Sequence, residues 1–281
     1  TDFYQPLDVR QRFFVQPIAQ AEDDYEDVYA NGDRAARYIL RQRYGQVDFG
    51  MNFGTLAQLR LGVRSGSQAA ELDTGAAALP EFARTPDTSV ELGASFDTRD
   101  TLALPTRGML VNVRYAHSED WFGGQFDYSL FEALVARAFS VRAGDSLALL
   151  VGGGYTPYGE LPPTELFKLG GIRTFPGLRP GELRGTSYWT AGTRYAWRLV
   201  DIQPLFGQAL YAGVRLQAAQ MRGRVDGVTA NTLYGLAGTI GGRTPAGPFL
   251  LSIGWVNDGS WQLQFSVGRP VSEGTVLDEL Q

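Results

Sequence analysis

The residues of this chain that could do bond chemistry gather around its one histidine. His117 is followed by Ser118, Glu119 and Asp120, the residue types from which a hydrolytic triad is assembled. A triad needs convergence, however, and consecutive residues of a strand project to opposite faces, so His117 and Ser118 do not converge through adjacency. The plainer reading is a solvated strand end, and the chain itself is expected to be non-catalytic. A second cluster, Glu22, Asp23, Asp24, Glu26 and Asp27, holds enough carboxylate for calcium but lacks the glycine-centred spacing of a dedicated loop. It reads as an exposed acidic strand end. Gly152-Gly153-Gly154 lies inside an alternating run rather than before a helix, so it is no phosphate cradle; its lack of side chains lets another segment approach closely. There is no cysteine, which excludes disulfides, thiol catalysis and thiolate metal sites. Neither cofactor nor metal is expected. A net charge of −5 would repel a phosphate backbone, so nucleic acid is not an expected partner.

What remains is a set of arginines at alternating positions: Arg60, Arg64, Arg114, Arg194, Arg198 and Arg215. Such residues could select anions, as rings in a pore do, or solvate an interior and bond to something inserted there; the structural role is the favoured one. The elements that carry them have period two. Val90, Leu92, Ala94 and Phe96 oppose Ser89, Glu91, Gly93, Ser95 and Asp97. Leu59, Leu61 and Val63 oppose Arg60, Gly62 and Arg64, and Leu210, Ala212, Val214 and Leu216 oppose Gly213, Arg215 and Gln217. Among Met109 to Ala116, Leu110 alone breaks the pattern. Hydrophobic residues make up 44% of the chain, yet no run approaches the roughly 18 apolar residues of a spanning helix.

Strands of this length with aromatic ends, exhausting most of the chain, fit a transmembrane antiparallel β-barrel better than a soluble sandwich. Twelve strands are expected, at roughly 12–30, 34–53, 57–67, 88–98, 107–118, 124–139, 145–157, 186–199, 208–221, 231–243, 248–257 and 260–269. Tight connections follow residues 53, 139 and 243, and long ones occupy 68–87 and 158–185. This division places both chain ends in the periplasm. Asn31-Gly32-Asp33 would turn an unusually long first hairpin. Residues 1–270 form one outer-membrane domain, and 271–281 a polar, disordered tail. Its partners are outer-membrane lipids and lipopolysaccharide. Open first and last edges would invite a homodimer.

Three segments resemble the outer-membrane assembly and protein-translocation barrel superfamily, also called the bacterial surface antigen family. They are Phe96-Asp97-Thr98-Arg99-Asp100 with Pro105-Thr106-Arg107-Gly108, then Gly170-Gly171-Ile172-Arg173-Thr174-Phe175-Pro176-Gly177, and Gly241-Gly242-Arg243-Thr244-Pro245-Ala246-Gly247-Pro248-Phe249. The resemblance implies that the second segment is the tip of a long loop folded into the lumen. Gly171, Arg173, Phe175 and Gly177 would be its motif residues, and Glu91, Asp97 or Gln217 the wall partners of Arg173. Thr174 stands where a glycine is usual, and Gln217 where related walls often carry an acid. A narrower similarity, through Phe3-Tyr4-Gln5-Pro6-Leu7-Asp8, Phe13-Phe14-Val15 and Pro180-Gly181-Glu182-Leu183-Arg184-Gly185, is to barrels fused to patatin-like lipases in type V secretion. That branch implies a sixteen-stranded barrel, four strands of which precede Thr1, with an N-terminal passenger or periplasmic domain. The function so implied is protein translocation or assembly, and the alternative is a passive, homodimerising pore or anchor that tethers a lipase domain.

Overall fold

Alternation of side chains across a pleated backbone fixes two faces, and here the concave face is the polar one. The structure, a computed structural model, describes residues 1–30, 32–101, 105–142, 144–200, 210–228, 231–244 and 247–268. Asn31 of the expected hairpin turn, Pro245 and Ala246, and the expected tail 271–281 lie outside the described residues.

The strands are β1 (Gln5–Pro6), β2 (Phe13–Ala30), β3 (Asp33–Phe53), β4 (Ala57–Gly75), β5 (Phe82–Asp97), β6 (Gly108–Ser118), β7 (Tyr128–Arg142), β8 (Asp145–Gly159), β9 (Phe167–Leu169), β10 (Leu183–Gly185), β11 (Ser187–Val200), β12 (Leu210–Arg222), β13 (Leu233–Thr244), β14 (Gly247–Val256) and β15 (Trp261–Val267). Thirteen of them form one sheet in which chain neighbours pair, with β8 running directly against β11; β9 and β10 pair with each other in the intervening loop. The twelve expected runs thus become thirteen strands in that sheet, because Gln5 and Pro6 add a short rung opposite Val15 and Phe14. Among the described residues β15 is not paired with β1 or β2, so the sheet curls without closing.

Two expectations are corrected by length. The connection expected at 68–87 is mostly strand: β4 runs to Gly75 and β5 begins at Phe82. Gln68, Ala69 and Ala70 are all buried, and the pairing slips between Gln68 and Ala70, so a bulge erased the alternation there. Pro86 lies within β5 opposite Ser67. The hairpin β2–β3, of 18 and 21 residues, is far longer than the 9–11 or so residues a tilted strand needs to cross a bilayer.

The outer face is apolar. Leu61, Val151, Leu216, Ile253, Leu263 and Phe265 are each more than half exposed, while Asp48, Gln68, Asp87, Asn112, Glu132, Thr190 and Gln217 are buried on the inner face. A water-soluble sandwich has the opposite arrangement. Large aromatic residues lie toward strand ends, including Tyr155, Trp189, Trp197, Trp255 and Trp261, as in the interfacial girdles of outer-membrane barrels. No helix among the described residues is long and apolar enough to cross a membrane.

Candidate functional site

The inner face is occupied by the loop between β8 and β11. Leu161, Leu166, Phe167, Leu169, Phe175, Leu178 and Leu183 of this loop are buried against Leu110, Leu130, Leu134, Tyr188, Met221 and Val256 of the wall. Leu110, the residue that broke the alternation of its strand, is therefore part of the packing around the loop. Glycines make room for it. A Cβ on Gly154 would lie 2.5 Å from the Phe167 ring, and one on Gly254 would lie 2.3 Å from the backbone nitrogen of Gly177. The expected close approach at Gly152-Gly153-Gly154 is thus realised at Gly154.

Near its start the loop is held by charge. Glu165 accepts from Arg64 at 2.7 Å and from Arg114 at 3.2 Å. Arg64 also reaches Asp87 at 3.3 Å, Glu91 at 3.5 Å and the Tyr128 hydroxyl at 3.1 Å. Burial pushes the Glu165 carboxyl up, but the guanidinium groups of Arg64 and Arg114 outweigh it and hold the group at about 2. Further along, Lys168 and Arg184, which flank the tip, both bond to Glu26 of β2. Glu26 is accordingly no part of an exposed acidic end. Its neighbours Asp23 and Asp27 pair with Arg43 at 2.5 Å and Arg37 at 2.8 Å. Above the loop wall remains a cavity of about 1140 Å³ lined by β2 to β7 and the loop.

The tip is a tight turn. The Gly171 amide bonds to the Leu178 carbonyl at 3.0 Å and the Phe175 amide to the Gly171 carbonyl at 3.1 Å. Gly171 and Gly177 have φ of 94° and 102°, which suits only glycine comfortably. Thr174, in the place of a usual glycine, donates its hydroxyl to the Gly170 carbonyl at 2.6 Å and so closes the turn on itself. Phe175 is fully buried, with its ring against Gly235 of β13.

The wall grips this tip through its backbone. Arg215 donates to the carbonyls of Ile172, Arg173 and Thr174 at 3.2, 2.8 and 3.2 Å, and Gln217 donates to that of Thr174 at 2.6 Å. Of the expected partners, Gln217 therefore reaches the tip. Glu91 is placed with Arg64 and Arg114, and Asp97 with Arg99 at 2.8 Å. Arg64, Arg114 and Arg215 bond to the inserted loop, as favoured for the inward arginines, whereas Glu165 as the loop's central anion was missed in the sequence. The carbonyls that Arg215 holds were not identified, and no local pattern marks Glu165, whose partners lie 101 and 51 residues away.

His117 and Ser118 separate as strand geometry requires. Ser118 faces inward and bonds to Asp87 at 3.2 Å, while His117 stacks with Tyr115 and lies 3.3 Å from Glu119.

A single meandering sheet, apolar outside and polar inside, gripping a long inserted loop, has the wall architecture of a loop-plugged outer-membrane β-barrel. The chain belongs to the Omp85 superfamily, matching that domain over residues 3–270. Among solved structures it is similar to BamA from Haemophilus ducreyi lacking POTRA domains 1–3, with a TM-score of 0.74 at 12% identity over 94% of this chain and 60% of that one. CdiB from Escherichia coli gives a TM-score of 0.65 at 14% identity, over 92% of this chain and 49% of that one. The chain thus spans about half to three fifths of these structures. No curated protein matches it.

Proposed function

We propose that this chain is the membrane translocator or assembly domain of a polypeptide-handling outer-membrane protein, whose inserted loop regulates passage through the lumen. The observation that carries the reading is the attachment of the loop by side-chain bonds at several points, chief among them Arg64 and Arg114 to Glu165, Lys168 and Arg184 to Glu26, and Arg215 and Gln217 to the tip backbone. Backbone carbonyls and one carboxylate bound by arginine forks make a detachable plug, since no covalent bond or continuous ladder ties it to the wall.

At the finer level, the motifs at Phe3–Asp8 and Pro180–Gly185 favour the branch of type V secretion with an upstream patatin-like lipase. On this reading both ends of the chain face the periplasm, lipids and lipopolysaccharide surround the wall, and an N-terminal passenger or periplasmic domain is the working partner. The two free sheet edges also suit pairing with further strands, of the same protein or of a second copy.

The test is electrical and chemical together. In planar bilayers, Arg215→Ala combined with Glu165→Ala is expected to raise conductance over the wild type. A photocrosslinker at Asn112, on the inner wall, is expected to capture a polypeptide during secretion. Unchanged conductance together with no captured polypeptide would reject the translocator reading in favour of a passive anchor.

A further inference from the structure

The interior is divided by charge. Around Glu165, arginines alternate with Asp87 and Glu91. Around the tip the balance is lost: Arg99, Arg173, Arg194 and Arg215 line one cavity of about 70 Å³, and among the described residues no carboxylate lines it. Asp97 answers Arg99. Arg215 is spent on carbonyl oxygens, which bond it without cancelling its charge. Arg194 is the odd member, since its Nε is buried with no hydrogen-bond partner.

Register makes this sharper. Arg194 of β11 stands directly opposite Arg215 of β12. Directly opposed like charges destabilise a strand pair, and a buried donor left unmatched adds to that cost. The rest of the lining includes Pro105, Ala138, Ala148, Leu150 and Gly192, and among the described residues it offers no counter-charge. The volume equals that of about two liquid waters, enough for a small tetrahedral anion. The Arg194 guanidinium, with the uncancelled charge of Arg215 opposite it, suits a dianion that presents several oxygens.

We propose that Arg194 and Arg215 form a binding site for a phosphate-class oxyanion beneath the loop tip, supplied either as free phosphate or as the phosphomonoester of a lipid headgroup. The bound anion cancels the repulsion between the two strands. Because Arg215 also holds the carbonyls of residues 172–174, occupancy strengthens the grip on the plug.

The experiment is calorimetric titration of the purified protein in detergent micelles at constant ionic strength, first with inorganic phosphate and then with short-chain phosphatidic acid. One saturable site per chain for inorganic phosphate supports a free anion, and a site for phosphatidic acid alone supports the headgroup. Arg194→Gln is expected to abolish the site, and Arg60→Gln, on a distant part of the wall, to leave it intact. At about ten times its Kd the ligand should raise the melting temperature by about 2–4 °C in the wild type. If Arg194→Gln does not fold, Arg194→Lys replaces it and should weaken binding about tenfold through loss of the fork. Binding of neither ligand, or equal binding by the Arg194 variant, overturns the proposal.

Discussion

Glu165 is held by two guanidinium groups that also have other acids within reach, and this sets the size of the effect its removal should have. Arg64 and Arg114 both retain Glu91 in Glu165→Gln, so the loss resembles that of charge-assisted hydrogen bonds, about 1.5–3 kcal/mol, rather than the 3–5 or so of a stranded buried charge. Faster trypsin cleavage after Arg173 and Arg179 would register it. The same group gives a pH dependence. Its carboxyl is depressed to about 2 from an ordinary 4.5, so its stabilising contribution is complete above the ordinary value and disappears as pH falls through about 2. Loop protection from an acid protease should accordingly persist at pH 5 and weaken between about 4 and 2. At His117 the expectation is negative: His117→Ala should leave any lipid or peptide hydrolysis by the preparation unchanged, since Ser118 lies on the other face.

At the scale of elements, the plug depends on missing side chains. Gly254→Ala would set a methyl against the backbone of Gly177, whereas Gly238→Ala would meet only Ile253, at 3.8 Å. The first should cost about 1–3 kcal/mol and loosen the tip, and the second should be nearly neutral; hydrogen exchange at residues 170–178 separates them. The elements themselves were legible because alternation is a local property, and Leu59 to Arg64 or Val90 to Phe96 declare both faces within a few residues. Where a bulge at Gln68 to Ala70 broke the period, β4 could not be followed to its end. The loop's fastening was less legible. Arg173 could be picked out from its motif and Arg215 from its inward position, but Glu165 and the pairing of each arginine act across residues distant in sequence, which no spacing rule encodes.

For the whole molecule, the inverted distribution of polarity fixes which solvent the outer face can tolerate. Leu216→Arg places a charge on that face midway between the ends of β12 and should cost about 2–4 kcal/mol in a bilayer. Folding yield in liposomes, read from heat-modifiable migration on gels, should fall sharply. A change of comparable size on the inner face, Ser95→Arg, should leave the yield nearly unaltered, because the wall there borders the large polar cavity.

The loop's contacts reach both extremes of the sheet: Arg184 meets Glu26 across 158 residues of chain, Arg179 meets Gly32 across 147, and Gln264 meets Leu178 across 86. Closing segments of such length carries a large entropic cost before any contact repays it. The hairpin β2–β3 and the last strand must therefore already be in place when the loop docks, which makes docking a late event in folding. During insertion the interior would pass through an unplugged interval, and the mixed-charge and arginine-lined parts of the wall would be open to water until the final strands arrive.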